Sequence, residues 1–112
     1  VFESKIFSYK KQKIEEKKYT KWFDYDKIKN SPCVRTRRQG DYLTVNSEGG
    51  RKKLNRIFID EKIPAEMRDR LPVVAAGSEI LWIPGGRMNE KYKITSTTGR
   101  VLELHYQGGA LA

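Results

Sequence analysis

Short stretches with the composition of β-strands alternate with polar turns along most of this chain. Aromatic and β-branched residues are concentrated in these stretches, and turn-forming glycine, proline, asparagine and serine lie between them. The predicted strands span residues 19–25, 33–38, 42–45, 73–76, 79–83, 91–95 and 100–106. We expect the last two strands to pair as a hairpin, because a short polar turn separates them.

The pattern changes to that of a helix in the middle of the chain. Leu54, Ile57 and Phe58 have the spacing of one buried helix face, which predicts a short helix that begins at residue 51. A second helix is predicted from residue 64 to residue 70, because proline at residue 64 suits the first helical position. This order of elements indicates an α+β protein, a compact mixed β-sheet module with two short helices.

A length of 112 residues is typical of one domain. Residues 1–16 alternate too weakly to predict a strand, so we expect residues 1–18 to be a joining segment from a preceding domain. The domain itself is predicted at residues 19–107, followed by a loose tail at residues 108–112. The sequence contains no membrane-length apolar stretch and no signal peptide, which predicts a cytoplasmic protein with no membrane partner.

The net charge of +9 is unevenly distributed along the chain. Residues 1–29 contain nine basic and five acidic residues, residues 35–56 contain seven and two, and residues 57–112 contain seven of each. A positive excess in one half of the chain favours a polyanionic partner such as RNA, because phosphates neutralised by Lys or Arg release counterions. The alternative is that the charge serves only solubility.

Candidate catalytic residues are few. The single cysteine, Cys33, and the single histidine, His105, belong to distant predicted strands, so they predict neither a catalytic dyad nor a metal cluster. Asp24 and Asp26 share a strand face, but neighbouring basic residues favour ion pairing over acid–base chemistry. The glycines before Arg51 lack the spacing and the Ser/Thr of a nucleotide-binding loop. We therefore predict no catalytic residue and no metal site.

A series of short motifs occurs in a fixed order between Trp22 and Leu104. The motifs are Arg35-x-Arg37-Arg38-x-Gly40-Asp41, Gly50-x-Lys52-Lys53-Leu54, Phe58-Ile59-Asp60-x-Lys62-Ile63-Pro64, Arg68-Asp69-Arg70-x-Pro72-Val73-Val74, Ile80-x-Trp82-x-x-Gly85 and Tyr92-Lys93-Ile94-Thr95. In order and spacing, the series resembles the C-terminal domain of bacterial tRNA(Ile)-lysidine synthases. The resemblance implies a fold similar to a module of the phenylalanyl-tRNA synthetase β-chain.

The resemblance also implies a function. The parent enzyme would use ATP to join lysine to the wobble cytidine of a minor isoleucine tRNA. ATP and magnesium would be bound by an N-terminal catalytic domain, whose pyrophosphate-binding loop does not occur in this sequence. The implied partners of this chain are the acceptor stem of the isoleucine tRNA and the catalytic domain of the same protein. The chain would be a non-catalytic domain that helps to select this tRNA.

The candidate RNA-binding residues are basic residues of these motifs and two arginines that lie outside them, Arg56 and Arg87. Arginine offers a planar fork of donors that suits phosphate, and lysine provides a mobile charge. They are Arg35, Arg37, Arg38, Lys52, Lys53, Arg56, Arg68 and Arg87. We expect Asp41 and Asp60 to orient arginines rather than to bind RNA.

Two alternatives remain open at this stage. The basic motifs could lie on two separate solvated faces, in which case the domain would be a protein-interaction or spacer module that positions the catalytic domain. A small independent enzyme is the third hypothesis, but no paired nucleophile and base supports it. The RNA-binding hypothesis requires the basic motifs to share one surface.

Overall fold

Short strands form most of the regular structure, as the sequence predicts. The computed structural model describes residues 2–14 and 17–107, so the tail predicted at residues 108–112 lies outside the described residues. The elements are β1 (Phe2–Ser8), β2 (Thr20–Asp24), β3 (Cys33–Arg35), β4 (Tyr42–Thr44), β5 (Arg51–Lys53), α1 (Leu54–Asp60), α2 (Ala65–Arg68), β6 (Val73–Ala76), β7 (Glu79–Trp82) and β8 (Arg100–Tyr106). The chain divides into two units, residues 1–29 with 92–112 and residues 30–91, here named unit 1 and unit 2.

Unit 1 contains a three-stranded antiparallel sheet in the order β1-β8-β2. The sequence pattern predicts no strand at residues 2–8, yet β1 pairs with β8 along its whole length. Its aromatic side chains pack on distant rings, with Phe7 lying 5.0 Å from Trp22 between ring centroids. A local pattern cannot reveal partners so far away in sequence. The boundary predicted after residue 18 stays a prediction, although β1 lies before it.

The hairpin predicted from residues 91–95 and 100–106 is wrong. Residues 90–92 form a 3₁₀ turn, and β8 pairs with β1 and β2 instead. The predicted turn does form, because the Thr98 amide donates to the Thr95 carbonyl at 3.2 Å. β8 pairs with seven residues of β1 on one side and with five residues of β2 on the other, so both of its edges are occupied.

Unit 2 contains a five-stranded mixed sheet in the order β3-β6-β7-β4-β5. The pairing is antiparallel except between β4 and β7, where Tyr42 pairs with Glu79 in parallel. The core of this unit includes α1, which buries Leu54, Ile57 and Phe58 as predicted. Among the described residues, no helix is long and apolar enough to cross a membrane.

Two element boundaries in unit 2 differ from the prediction by three residues. The strand expected at residues 33–38 ends at Arg35, and the helix expected from residue 51 begins at Leu54. Residues 51–53 extend as β5, because a tight turn at Asn46 folds them back along β4. The Asn46 Oδ1 accepts hydrogen bonds from the amides of Glu48 at 3.0 Å and Gly50 at 2.9 Å. These bonds fix the turn and therefore the register of the two strands.

Candidate nucleic-acid interface

Arg35 forms a buried ion pair at the end of β3. Its Nη1 and Nη2 each donate to one carboxylate oxygen of Asp41 at 2.8 Å. The same nitrogens also donate to the carbonyls of Thr36 at 2.9 Å and Gly77 at 2.8 Å. The side chains of Arg35 and Asp41 are only 9% and 2% exposed, and the hydrogen bonding of Arg35 to the Asp41 carboxylate raises the pKa of Arg35. The Arg35 guanidinium therefore binds groups of the protein itself.

The segment after β3, residues 36–40, folds into a loop that Asp41 closes. The Arg38 amide donates to Asp41 Oδ2 at 2.7 Å, and the Asp41 amide donates to the Arg38 carbonyl at 3.2 Å. Gly40 has a φ of 89°, a left-handed conformation that glycine adopts without strain. Arg38 is exposed, and within the described part of the chain its side chain has no hydrogen-bond or ion-pair partner.

Arg37 joins the first basic motif to the second. Its Nε donates to Asp69 Oδ1 at 2.8 Å and its Nη1 donates to Asn55 Oδ1 at 2.9 Å. A backbone bond reinforces this junction, because the Leu54 amide donates to the Asp41 carbonyl at 2.9 Å. The two basic motifs thus meet at the start of α1, as the RNA-binding hypothesis requires. The Asp69 side chain is 77% exposed, so its charge is open to competition from solvent or from a ligand.

The second motif divides its charges between two directions. Lys53 pairs with Tyr42 and Arg51 pairs with Thr44, so the side chains of Lys53 and Arg51 lie on one face of β5. The Lys52 side chain lies on the other face. The Lys52 Nζ and the Arg56 Nε both contact the Asp60 carboxylate, Arg56 at 3.1 Å. Two cations that share one carboxylate retain a net positive charge.

Lys53 and Arg51 remain accessible on their face of β5. Lys53 is exposed, and among the described residues its side chain has no hydrogen-bond or ion-pair partner. The Arg51 guanidinium lies over the Tyr42 ring, 4.6 Å from the centroid. We name the set Arg37, Arg38, Arg51, Lys52, Lys53 and Arg56 the basic cluster.

Arg68 and Arg87 bind backbone carbonyls elsewhere in unit 2. The Arg68 Nε donates to the Ile63 carbonyl at 2.9 Å, and the Arg87 Nη2 donates to the Val45 carbonyl at 3.2 Å. Both residues are half-buried. Within the described residues, neither shares a hydrogen-bond or ion-pair partner with the basic cluster. The structure therefore gives them a local role in loop geometry and does not join them to the other candidates.

Three residues that belong to the basic cluster or contact it were not predicted from the sequence. Asn55 and Asp69 hold Arg37, and Arg51 stacks on Tyr42. Asn55 lies between two motif residues, which is a weak signal for a role in the same site. The stacking of Arg51 depends on the β4–β5 register, so it could not be inferred while residues 51–53 were assigned to a helix.

The rejected catalytic candidates have structural partners. Asp26 accepts hydrogen bonds from Arg100 Nε at 2.9 Å and Nη2 at 2.6 Å, and the first of the causes that lower the pKa of Asp26 is this hydrogen bonding. Asp24 accepts from Thr98 Oγ1 at 2.9 Å and lies 3.8 Å from Lys27 Nζ. The prediction of ion pairing for both aspartates is confirmed. Cys33 and His105 lie in different units.

Comparison with known proteins identifies the family. Residues 33–104 match the family model described as "TilS substrate C-terminal domain". The chain belongs to this family. The TilS C-terminal domain match covers every residue of the basic cluster, including the junction between Arg37 and Asn55.

Individual relatives agree with the family assignment. The chain is 50% identical over 88 residues to the tRNA(Ile)-lysidine synthase of Caldanaerobacter subterraneus subsp. tengcongensis, covering 79% of this chain and 19% of that protein. It is 41% identical over 90 residues to the enzyme of Clostridium tetani, covering 80% and 19% respectively. The chain therefore spans about a fifth of the length of these relatives.

A solved structure described as "Crystal structure of TILS C-terminal domain" has the same fold. The TM-score is 0.76 at 31% sequence identity, and the alignment covers 96% of this chain and 83% of that one. The predicted α+β module with mixed sheet and two short helices is confirmed, and so is the resemblance to the C-terminal domain of tRNA(Ile)-lysidine synthases.

Proposed function

We propose that this TilS C-terminal domain binds the acceptor stem of tRNA through the basic cluster and helps to select the minor isoleucine tRNA. The observation that carries the proposal is the contact of Arg37 with Asn55, which brings the two basic motifs together. Arg38 and Lys53 are exposed beside this junction without an acidic partner among the described residues. Such groups are available to bind phosphate.

The charge balance of the cluster supports a polyanionic ligand. Among the described residues, three of the six cations contact a carboxylate, either Asp60 or Asp69, so six positive and two negative charges leave an excess of four positive charges. An RNA stem is A-form, so its phosphates and 2′-hydroxyls are more accessible to side chains than the edges of its bases in the deep groove. Arginine and lysine on short loops and a strand suit this mode of recognition.

The proposal extends to the whole protein of which this chain would form the C-terminal part. That enzyme would join lysine to the wobble cytidine with ATP, and a separate catalytic domain would bind ATP and magnesium. The relatives that carry the matching segment are named tRNA(Ile)-lysidine synthase, which supports this assignment. The residues of this chain would bind and orient RNA, and they would take part in no chemical step.

Filter binding of the 112-residue chain tests the proposal. The probes are hairpins with the acceptor stem of the isoleucine tRNA, the acceptor stem of a methionine tRNA, and the anticodon stem. We expect the isoleucine acceptor hairpin to bind most tightly, and binding to weaken between about 50 and about 200 mM salt. Absent or salt-independent binding would contradict the proposal.

Single substitutions locate the site. Arg38→Ala should weaken binding and reduce the salt slope by about one phosphate contact. Lys10→Ala is the matched control, because Lys10 is exposed in unit 1 and its side chain has no hydrogen-bond or ion-pair partner among the described residues. Equal losses for both variants would indicate non-specific attraction to the whole chain.

A spacer function is the second candidate, and internal ion pairing favours it. Arg35, Arg37 and Lys52 each contact a carboxylate of unit 2. Charge reversal at Arg37 and Lys53 distinguishes the two candidates. Unchanged tRNA affinity of the full-length protein would favour the spacer function, and a loss would favour RNA binding.

A further inference from the structure

Asp41 connects the two basic motifs while its own side chain is almost completely buried. Its carboxylate binds the Arg35 guanidinium and the Arg38 amide, and its carbonyl accepts the Leu54 amide that begins α1. One residue therefore bonds to β3, to the 36–40 loop and to the first turn of α1. The 36–40 loop contains Arg37 and Arg38, and α1 begins directly after Lys53.

Arg35 completes this arrangement from the other side. It binds both oxygens of Asp41 and also the carbonyl of Gly77 in the β6–β7 turn, at 2.8 Å in each case. A bidentate pair of planar groups fixes both distance and orientation, which a single-point ammonium group cannot do. The 36–40 loop is thereby anchored to the sheet, and Arg37 and Arg38 project from an anchored loop.

We propose that Arg35 and Asp41 are positioning residues for RNA binding: they hold the 36–40 loop and the start of α1 in register, and Arg35 does not contact RNA. This inference rests on the proposed function. It replaces the expectation that Arg35 is a phosphate ligand, because its four hydrogen bonds are all made within the protein. The RNA ligands are then the exposed cations of the basic cluster.

Two substitutions with the same change in charge give opposite expectations. Asp41→Asn and Asp60→Asn each remove one negative charge, so simple electrostatics predicts tighter RNA binding in both. Asp41→Asn also replaces one carboxylate oxygen by an amide donor, so at least one of the Arg35 and Arg38 donors that bind Asp41 loses its acceptor. We expect it to weaken binding about tenfold, which corresponds to 1.4 kcal/mol. Asp60→Asn frees Lys52 and Arg56 and should bind equally or several-fold more tightly.

Arg35→Lys provides a second test at constant charge. If Arg35 bound phosphate directly, lysine would retain the contact and the salt slope. If Arg35 positions the loop, Arg35→Lys should bind about tenfold more weakly. Its salt slope should fall by about two phosphate contacts, because Arg37 and Arg38 are displaced together. Affinities are compared at a temperature where circular dichroism shows each variant to be folded.

Amide hydrogen exchange reports on the anchor without RNA. The amides of Arg38 and Leu54 should exchange faster in Asp41→Asn and Arg35→Lys than in the wild-type chain, and should be unchanged in Asp60→Asn. Tighter binding by Asp41→Asn, or wild-type affinity in Arg35→Lys, would overturn the positioning role while leaving the proposed function intact. A wild-type chain that binds none of the hairpins would overturn the proposed function itself.

Discussion

Among the described residues, Asp60 and Asp69 are the carboxylates that contact side chains of the basic cluster, and each limits how strongly the cluster attracts a polyanion. Asp60 accepts from Lys52 on the neighbouring strand and from Arg56 one helical turn away. Asp69 accepts from Arg37, which is distant in sequence. Because both carboxylates are at the surface, solvent screens these ion pairs. The cations can therefore exchange their carboxylate partner for a phosphate.

The stability contributed by the Asp60 pair should depend on pH. The hydrogen bond from Lys52 is the first cause that lowers the pKa of Asp60 below its usual 3.8, and the charge of Arg56 adds to it. A carboxyl group whose pKa is lower in the folded state stabilises the fold above its unfolded pKa, and this stabilisation is lost as the pH falls through the folded value. The wild-type chain should therefore melt at a higher temperature than Asp60→Asn at neutral pH, and the difference should shrink below pH 3.8.

Thermal melts from neutral pH to about pH 2 check this expectation. Glu48→Gln is the control, because the Glu48 carboxylate has no ion pair among the described residues. A difference between wild type and Asp60→Asn that stays constant across this range would contradict the assignment of the stabilisation to the ionised carboxylate.

The sequence shows the charge of each site residue, but it does not show whether the side chain is buried or accessible. The two motifs and their positive charge were evident, and the contact between Arg37 and Asn55 brings the two segments together. The burial of Arg35 was not evident, although Arg35 and Arg38 belong to the same motif. An arginine becomes internal or accessible according to where acidic and carbonyl partners lie after folding, and Gly77 and Asp69 are distant in sequence from the arginines that they bind.

The helix α1 owes its stability to the face that it buries. It spans seven residues, and Lys53 at its N-cap provides no side-chain hydrogen bond to the first turn. A helix this short is unstable in isolation, so tertiary packing must hold it. The sequence predicted this buried face correctly, because the helical period depends only on local spacing. It placed the start too early, because the β4–β5 hairpin overrides the local pattern.

Substitutions of two isoleucines on opposite faces of α1 test how much that packing contributes to stability. Ile57 is 1% exposed and Ile59 is 48% exposed. Ile57→Ala should reduce the free energy of unfolding by about 2–5 kcal/mol, because it removes buried apolar area and leaves a cavity. Ile59→Ala should change it by about 0.5 kcal/mol or less. Urea unfolding followed by circular dichroism compares the two, and equal losses would show that α1 is not held by its buried face.

At the scale of the whole molecule, the sequence indicates the fold class and most of the strands but not how the strands pair. Strands β2, β4, β6 and β7 lie within or close to their predicted ranges. The sheet of unit 1 could not be predicted, because β1 and β8 come from opposite ends of the chain. Partners so far apart are selected by packing in the folded state, as when Phe2 meets the ring of Tyr106 at 4.8 Å.

The position of β5 at one end of its sheet has a consequence for handling the protein. An outermost strand exposes unpaired backbone groups to which a strand of another molecule could add, and charged side chains oppose such aggregation. Three consecutive basic residues, Arg51–Lys53, form β5. Replacing all three by glutamine should therefore promote self-association as well as weaken RNA binding. Light scattering would detect it, and the same replacement of Lys10, Lys11 and Lys13 should leave the chain dispersed. The charges that attract a nucleic acid would then also keep copies of the protein apart.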